Sequence, residues 1–293
     1  MAASATASIL ASTATSAATS TATAVATAVA GPASAGVTLA GWLAWLQVPL
    51  SGSAEHHIAD WASWHARLMV LGWAVLLPLG ALIARYFKVM PRQDWPRQLD
   101  NKAWWIAHRG LQYTGVVVMT AGLGLAWGQG TGTSAAARAH ALLGWALCLA
   151  GWAQVASGLL RGSKGGPTDR QLQGDHYDMT RWRYAFERLH KALGWLALVG
   201  AVGAIALGLA VADAPRWMAL VLGAWWLALA ALFVCLQHQG RCIDTYQAIW
   251  GPDEHHPGNH LPVVGWGVRR YTALAWRQRF GSPPDGASQA PRH

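Results

Sequence analysis

Four histidines stand one apiece near the starts of four apolar segments: His65, His108, His140 and His190. An ionisable side chain in hydrocarbon is costly and generally marks function. A neutral imidazole is a common metal ligand. Two imidazoles facing one another fill both axial positions of a haem iron, leaving outer-sphere electron transfer as its available chemistry. Zinc ordinarily takes three or four protein ligands, whereas these histidines fall into pairs. Cys148, Cys235 and Cys242 show no paired spacing, and no C-x-x-C-H run is present, so any haem here is b-type rather than covalently attached.

The positions of the histidines follow from the helices that carry them. Five apolar segments, roughly Trp61–Phe87, Trp104–Trp127, Ala136–Leu160, Ala185–Val211 and Trp217–Leu236, are each near the ~20 residues that cross a ~30 Å hydrocarbon core. Trp61, Trp104, Trp105, Trp127, Trp182, Tyr184 and Trp217 lie near their ends as interfacial anchors do. Consecutive spans run in opposite directions. His65 and His140 therefore share one membrane face and His108 and His190 the other. The expected fold is an all-α membrane protein, a four-helix haem-binding bundle plus one or two additional transmembrane helices, five or six in total. Residues 1–35 read as a low-complexity, disordered N-terminus rich in Ala, Ser and Thr. Residues 36–60 hold an apolar segment, a candidate first transmembrane helix, and an outer loop. Residues 61–238 form the transmembrane domain, and 239–293 a tail.

Composition agrees. Of 293 residues, 53% are hydrophobic and only 12% charged, against about 25% charged in soluble domains. The net charge of +9 comes from cations beside the apolar segments, which argues for membrane topology rather than nucleic-acid binding. Arg85, Lys88, Arg92, Arg97 and Lys102 follow the first span; Arg161, Lys164, Arg170, Arg181 and Arg183 follow the third; Arg241, Arg269 and Arg270 follow the fifth. The opposite connections hold only Arg138 in one and Asp213 with Arg216 in the other. The positive-inside rule then places the basic loops and the C-terminus in the cytoplasm, with a bacterial inner membrane as the expected location. A transporter or channel finds little support, since no intramembrane Asp or Glu pathway and no broken-helix repeat is evident.

Small residues follow the histidines at helical spacing: Gly72; Gly115 and Gly122; Gly144, Gly151 and Gly158; Gly194, Ala197, Ala201, Ala204 and Gly208. They leave room for a flat macrocycle, and they equally permit close helix packing. Arg109 and Lys191 adjoin the histidines of one face and Arg138 lies near His140, so these three are candidate partners for haem propionates, with snorkelling cations the plain alternative. His56, His57, His176, His238, His255, His256 and His260 read as loop or helix-end residues outside the metal sites.

The runs His65-Ala-Arg-Leu-Met-Val-Leu-Gly72, His108-Arg-Gly-Leu-Gln-Tyr, His140-Ala-Leu-Leu-Gly144 and His190-Lys-Ala-Leu-Gly194 resemble the cytochrome b561 family of transmembrane di-haem reductases over about Trp61–Leu236. The resemblance implies two haem b groups, His65 with His140 binding the outer one and His108 with His190 the cytoplasmic one. It implies single-electron transfer across the lipid bilayer, as in members that pass electrons from ascorbate to monodehydroascorbate or ferric iron. For this chain the expected donor is a quinol or a soluble reductant, the expected acceptor ferric iron or a redox protein, and a homodimer or larger complex is a further expectation. A second expectation, from a different class, is a haem-bearing anchor subunit of a redox or photosynthetic assembly.

Overall fold

The computed structural model describes residues 38–53, 57–161 and 181–281. The predicted low-complexity stretch, His56 and His176 lie outside the described residues. Within them the chain is helical, with no strand and only two isolated bridges, Pro49 with Pro215 and Ile243 with Arg269.

The first described element, α1 (Leu39–Gln47), belongs to a unit ending at Val48. The Thr38 side chain caps it by accepting from Gly41 N. Its nine residues span about 14 Å, short of a membrane crossing. The rest of that candidate span lies outside the described residues.

The second unit contains the long helices: α2 (Asp60–Tyr86), α3 (Ala103–Ala126), α4 (Ala135–Leu159), α5 (Arg181–Val211) and α6 (Arg216–His238). Each falls within a few residues of its predicted segment. Four of them, α2, α4, α5 and α6, are long and apolar enough to cross a membrane; α3 runs 24 residues and is less apolar. The outward faces stay apolar, with Leu142, Leu196, Val199 and Leu227 all at least 70% exposed. A surface of this kind suits a lipid bilayer rather than water.

Helix α2 is not uniform. Val70–Leu76 widens into a π-helical stretch just before Pro78. Proline offers no N–H to the carbonyl four residues back, here that of Ala74. The Trp225 indole on α6 donates to that carbonyl instead, at 2.7 Å. A freed backbone group in an apolar setting is thereby satisfied, and α6 is fastened to the bundle.

Helix α2 packs along α3, and α4 along α5, as two antiparallel hairpins. Glycines decide how closely. A Cβ on Gly72 would lie 3.1 Å from the Gly115 carbonyl, one on Gly115 would strike Leu77, and one on Gly122 would meet Leu68. These three are helix-packing glycines rather than room for a macrocycle. Met119, fully buried, fills the centre with Trp73, Ala74, Leu77, Leu147, Cys148, Ala201 and Ala204.

At one end of the bundle, the loop end, connections 127–134 and 212–215 join the helices, and Asp213 accepts from both the backbone and the hydroxyl of Ser51. The opposite end is covered. Residues 239–281, expected as a tail, fold into α7 (Thr245–Trp250), a 3-10 turn (Pro257–His260) and α8 (Ala273–Phe280). They build a small core with the α2–α3 connection: Trp95 stacks edge-on against Trp276 at 4.9 Å, beside Val89, Ile243 and Ala248. Its interior is aromatic and carries no helical or strand period, so the hydrophobic pattern that reveals a span gives no sign of it. We refer to this layer as the cap.

Candidate cofactor site

Each of the four histidines lies near the start of its helix, so antiparallel packing carries them in pairs to opposite ends. At the loop end the His65 and His140 rings are 6.2 Å apart between centres, with planes at 83°. Two imidazoles on opposite sides of one metal atom, with bonds of about 2.0 Å, have ring centres on the order of 6 Å apart. An edge-to-face ring contact has similar spacing. The hydrogen bonds distinguish them.

His65 Nδ1 lies 2.8 Å from the Gly122 carbonyl, His108 Nδ1 2.9 Å from that of Gly80, and His140 Nδ1 3.0 Å from that of Ala204. A carbonyl only accepts, so each Nδ1 carries the proton and Nε2 keeps its lone pair. His190 Nδ1 is 3.1 Å from Ser157 Oγ, whose own proton goes to the Gln154 carbonyl at 3.0 Å. The hydroxyl thus accepts from His190. All four rings are tied through Nδ1 to the antiparallel neighbour in their own hairpin, which is how metal-ligating histidines are oriented.

His108 and His190 both line a cavity of about 940 Å³ at the cap end. Trp73, Leu77 and Ala197 of the core form part of its lining. Phe186 lies 5.0 Å from the His190 ring and Trp105 6.0 Å from that of His108, both tilted. Gly158 lines this cavity and a Cβ there would meet nothing within 4 Å; the same openness holds at Gly144, one turn below His140. At Gly208 a Cβ would come 3.0 Å from His140 Cε1. The small-residue stripes therefore divide: some close helix contacts, and some leave space beside the histidines. The space, the aromatic and aliphatic part of the lining and the Nε2 atoms left by the Nδ1 bonds fit a planar metal macrocycle.

Of the three cations named from the sequence, Arg109 and Lys191 line the cavity, and each of the three has contacts of its own. Arg109 is exposed and lies over Trp105 and Tyr113. Lys191 is spent on Glu187, 2.6 Å away, and on the Val264 carbonyl. Arg138 bonds the Thr133 carbonyl in its own loop. Arg109 and Lys191 do line the cavity, but so do Arg85, Lys88, Arg161 and Arg188. Arg161 stands 4.0 Å over the Trp105 ring. Lys88 is buried and donates to the Arg85 and Ile243 carbonyls, and burial pushes its ammonium down to about 8. An ammonium has three donors, so one remains beyond those two bonds.

Glu187, one turn before His190, is the acid among the cavity's lining residues, held by Tyr246 Oη at 2.7 Å, Lys191 and Arg183. Its spacing of three residues from His190, one helical turn, is the signal for it in the sequence. No group of three or more His, Cys, Asp or Glu side chains converges among the described residues. His256, expected to be solvated, stacks on Trp250 at 4.6 Å and accepts from Gly258 N.

Compared with known proteins, the chain matches no family model, no curated protein and no solved structure.

Proposed function

We propose that this chain is a transmembrane electron-transfer protein that binds two b-type haems, one held by His65 and His140 and the other by His108 and His190, in the manner of a cytochrome b561. The observation that carries this reading is the shared polarity of the four imidazoles. Each Nδ1 is spent on an acceptor in its own hairpin, leaving Nε2 for a metal, with the His65 and His140 rings 6.2 Å apart. Haem bound there supplies a reversible one-electron couple.

The protein's part is ligation, orientation and exclusion of water. Two histidines held to one haem would leave no open site for oxygen. The buried layer of Met119, Leu147, Cys148, Ala201 and Ala204 keeps the interval between the two ends dry. Arg161, Arg85 and Lys88 at the cap end are the candidate partners for haem propionates, in addition to Arg109 and Lys191. The cations that gather in the cap favour the cytoplasm for that side by the positive-inside rule. The loop end then faces outward, α3 completes the four-helix bundle as a further span, and a bacterial inner membrane is the expected setting. A quinol or soluble reductant and an acceptor of either small or protein nature fit as redox partners.

A pyridine haemochrome assay of the purified single chain is expected to give two haems b per polypeptide, with a reduced-minus-oxidised spectrum of low-spin bis-imidazole type. One haem or none would refute the proposal.

A further inference from the structure

Resting on that reading, we propose that the C-terminal segment from Cys242 to Val268 is a wall of the cap-end haem site and the element that shuts it off from water. The cavity that takes in His108 and His190 is lined on its far side by Cys242, Thr245, Val264, Trp266 and Val268. Without them the space between the helices opens directly onto the aqueous face. The segment is tied down onto the helices. Arg85 donates to the Trp266 carbonyl, Lys191 to that of Val264, Gln237 to that of Gly267 and Lys88 to that of Ile243. Two of these donors, Arg85 and Lys88, come from the end of α2 and its connection, while Lys191 directly follows the ligand His190.

A partly buried clamp ties the segment to Arg270, two residues beyond its end. The Asp244 carboxylate takes Arg270 Nε and Nη2, each at 2.6 Å. Arg270 Nη1 reaches the Asn259 and Leu261 carbonyls. Asp244 also caps α7, whose Tyr246 hydroxyl donates to Glu187 one turn from His190. Besides the ties to the helices, the segment's register over the cavity rests on this pair, in which two Arg270 nitrogens meet one Asp244 oxygen largely withdrawn from solvent, and breaking one side of such a pair leaves a buried charge uncompensated. Cys242, 1% exposed, lies in the wall and reports on whether it is shut. A small soluble reductant arriving at this end meets the cap before the cofactor.

The test uses the full-length holoprotein with Cys148→Ala and Cys235→Ser, leaving Cys242 as the thiol. A water-soluble maleimide is expected to label Cys242 at least ~tenfold more slowly in the folded chain than after the chain is unfolded in denaturant, because a buried thiol is inert. Arg270→Ala is expected to abolish that protection and to lower the midpoint potential of one haem, since admitted water favours the more highly charged oxidised iron; the other haem keeps its potential. Val264→Trp, which adds bulk to the wall and leaves the clamp intact, is expected to displace one haem while Cys242 stays protected. Labelling of Cys242 as fast in the folded chain as in the unfolded one would overturn the proposal. So would an opened Cys242 in Arg270→Ala with both potentials unchanged, or a Val264→Trp chain whose two haems are unaltered. A parent chain with no haem at all instead sinks the functional reading beneath it, and the maleimide rates then tell separately whether the cap is shut.

Discussion

At the loop end, His65 and His140 are oriented by backbone carbonyls alone, beneath short connecting loops; at the cap end, His190 depends on the side chain of Ser157, and both histidines line a walled cavity rich in cations. All four imidazoles are held through Nδ1, and the surroundings of the two pairs differ. Backbone acceptors cannot be removed by substitution and hold a ring wherever the helices pack. A hydroxyl acceptor can be tuned, and so can the charges that line a cavity. On this reading the loop-end site is a fixed element, and the cap-end site is where potential and access are set.

The comparison makes its largest prediction at the ligands. His65→Ala and His140→Ala are each expected to remove the same haem, and His108→Ala and His190→Ala the other, as read from the spectrum and potential of the haem that remains. Loss of one common haem from His65→Ala and His108→Ala would break the pairing. Next comes Ser157→Ala. Removing the acceptor of a ligating imidazole typically costs 10–100-fold in affinity, so the cap-end haem is expected to leave ~10-fold or more readily on titration with a competing apo-haem acceptor, while the loop-end haem is unaffected. Equal loss from both sites would show that the hydroxyl does not act through His190.

The smallest effect concerns the cap's buried lysine. Lys88 titrates near 8 in the folded chain and at 10.5 when solvated. The charged form therefore weighs against folding below pH 8, and the folded chain binds fewer protons than the unfolded one between pH 8 and 10.5. Stability due to this group rises across that window, by roughly 3 kcal/mol in all. Desolvation is the main cause, with Cys242, Lys191, Asp244 and Glu187 the charged or titratable neighbours. Thermal unfolding of the wild type and Lys88→Met, compared at pH 7 and pH 10, is expected to show the wild type gaining several degrees relative to the variant. A constant difference would remove Lys88 from the account.

The histidines and the long helices were legible because apolar runs of span length, and polar residues inside them, are one-dimensional signals. Direction reversal between helices then sorted the four rings by arithmetic. Other features depend on contacts distant in sequence. Gly72, Gly115 and Gly158 look alike in the chain; only packing shows that the first two touch neighbouring helices and the third faces open space. Ser157 becomes a ligand's partner by lying against α5. Lys88 and Arg85 looked like topogenic cations and instead bond to carbonyls of a segment some 150 residues or more later. The cap escaped notice because Trp95, Ile243 and Trp276 meet only in space.

The Nδ1 hydrogen bonds have a further consequence for assembly. Each of them stays inside a hairpin: His65 and His108 within α2–α3, His140 and His190 within α4–α5. Every proposed ligand pair instead takes one histidine from each hairpin. The imidazoles can thus be aimed as soon as a hairpin has entered the bilayer, before any cofactor arrives. The two haems would then act as rivets, one at either end, joining two pieces already made.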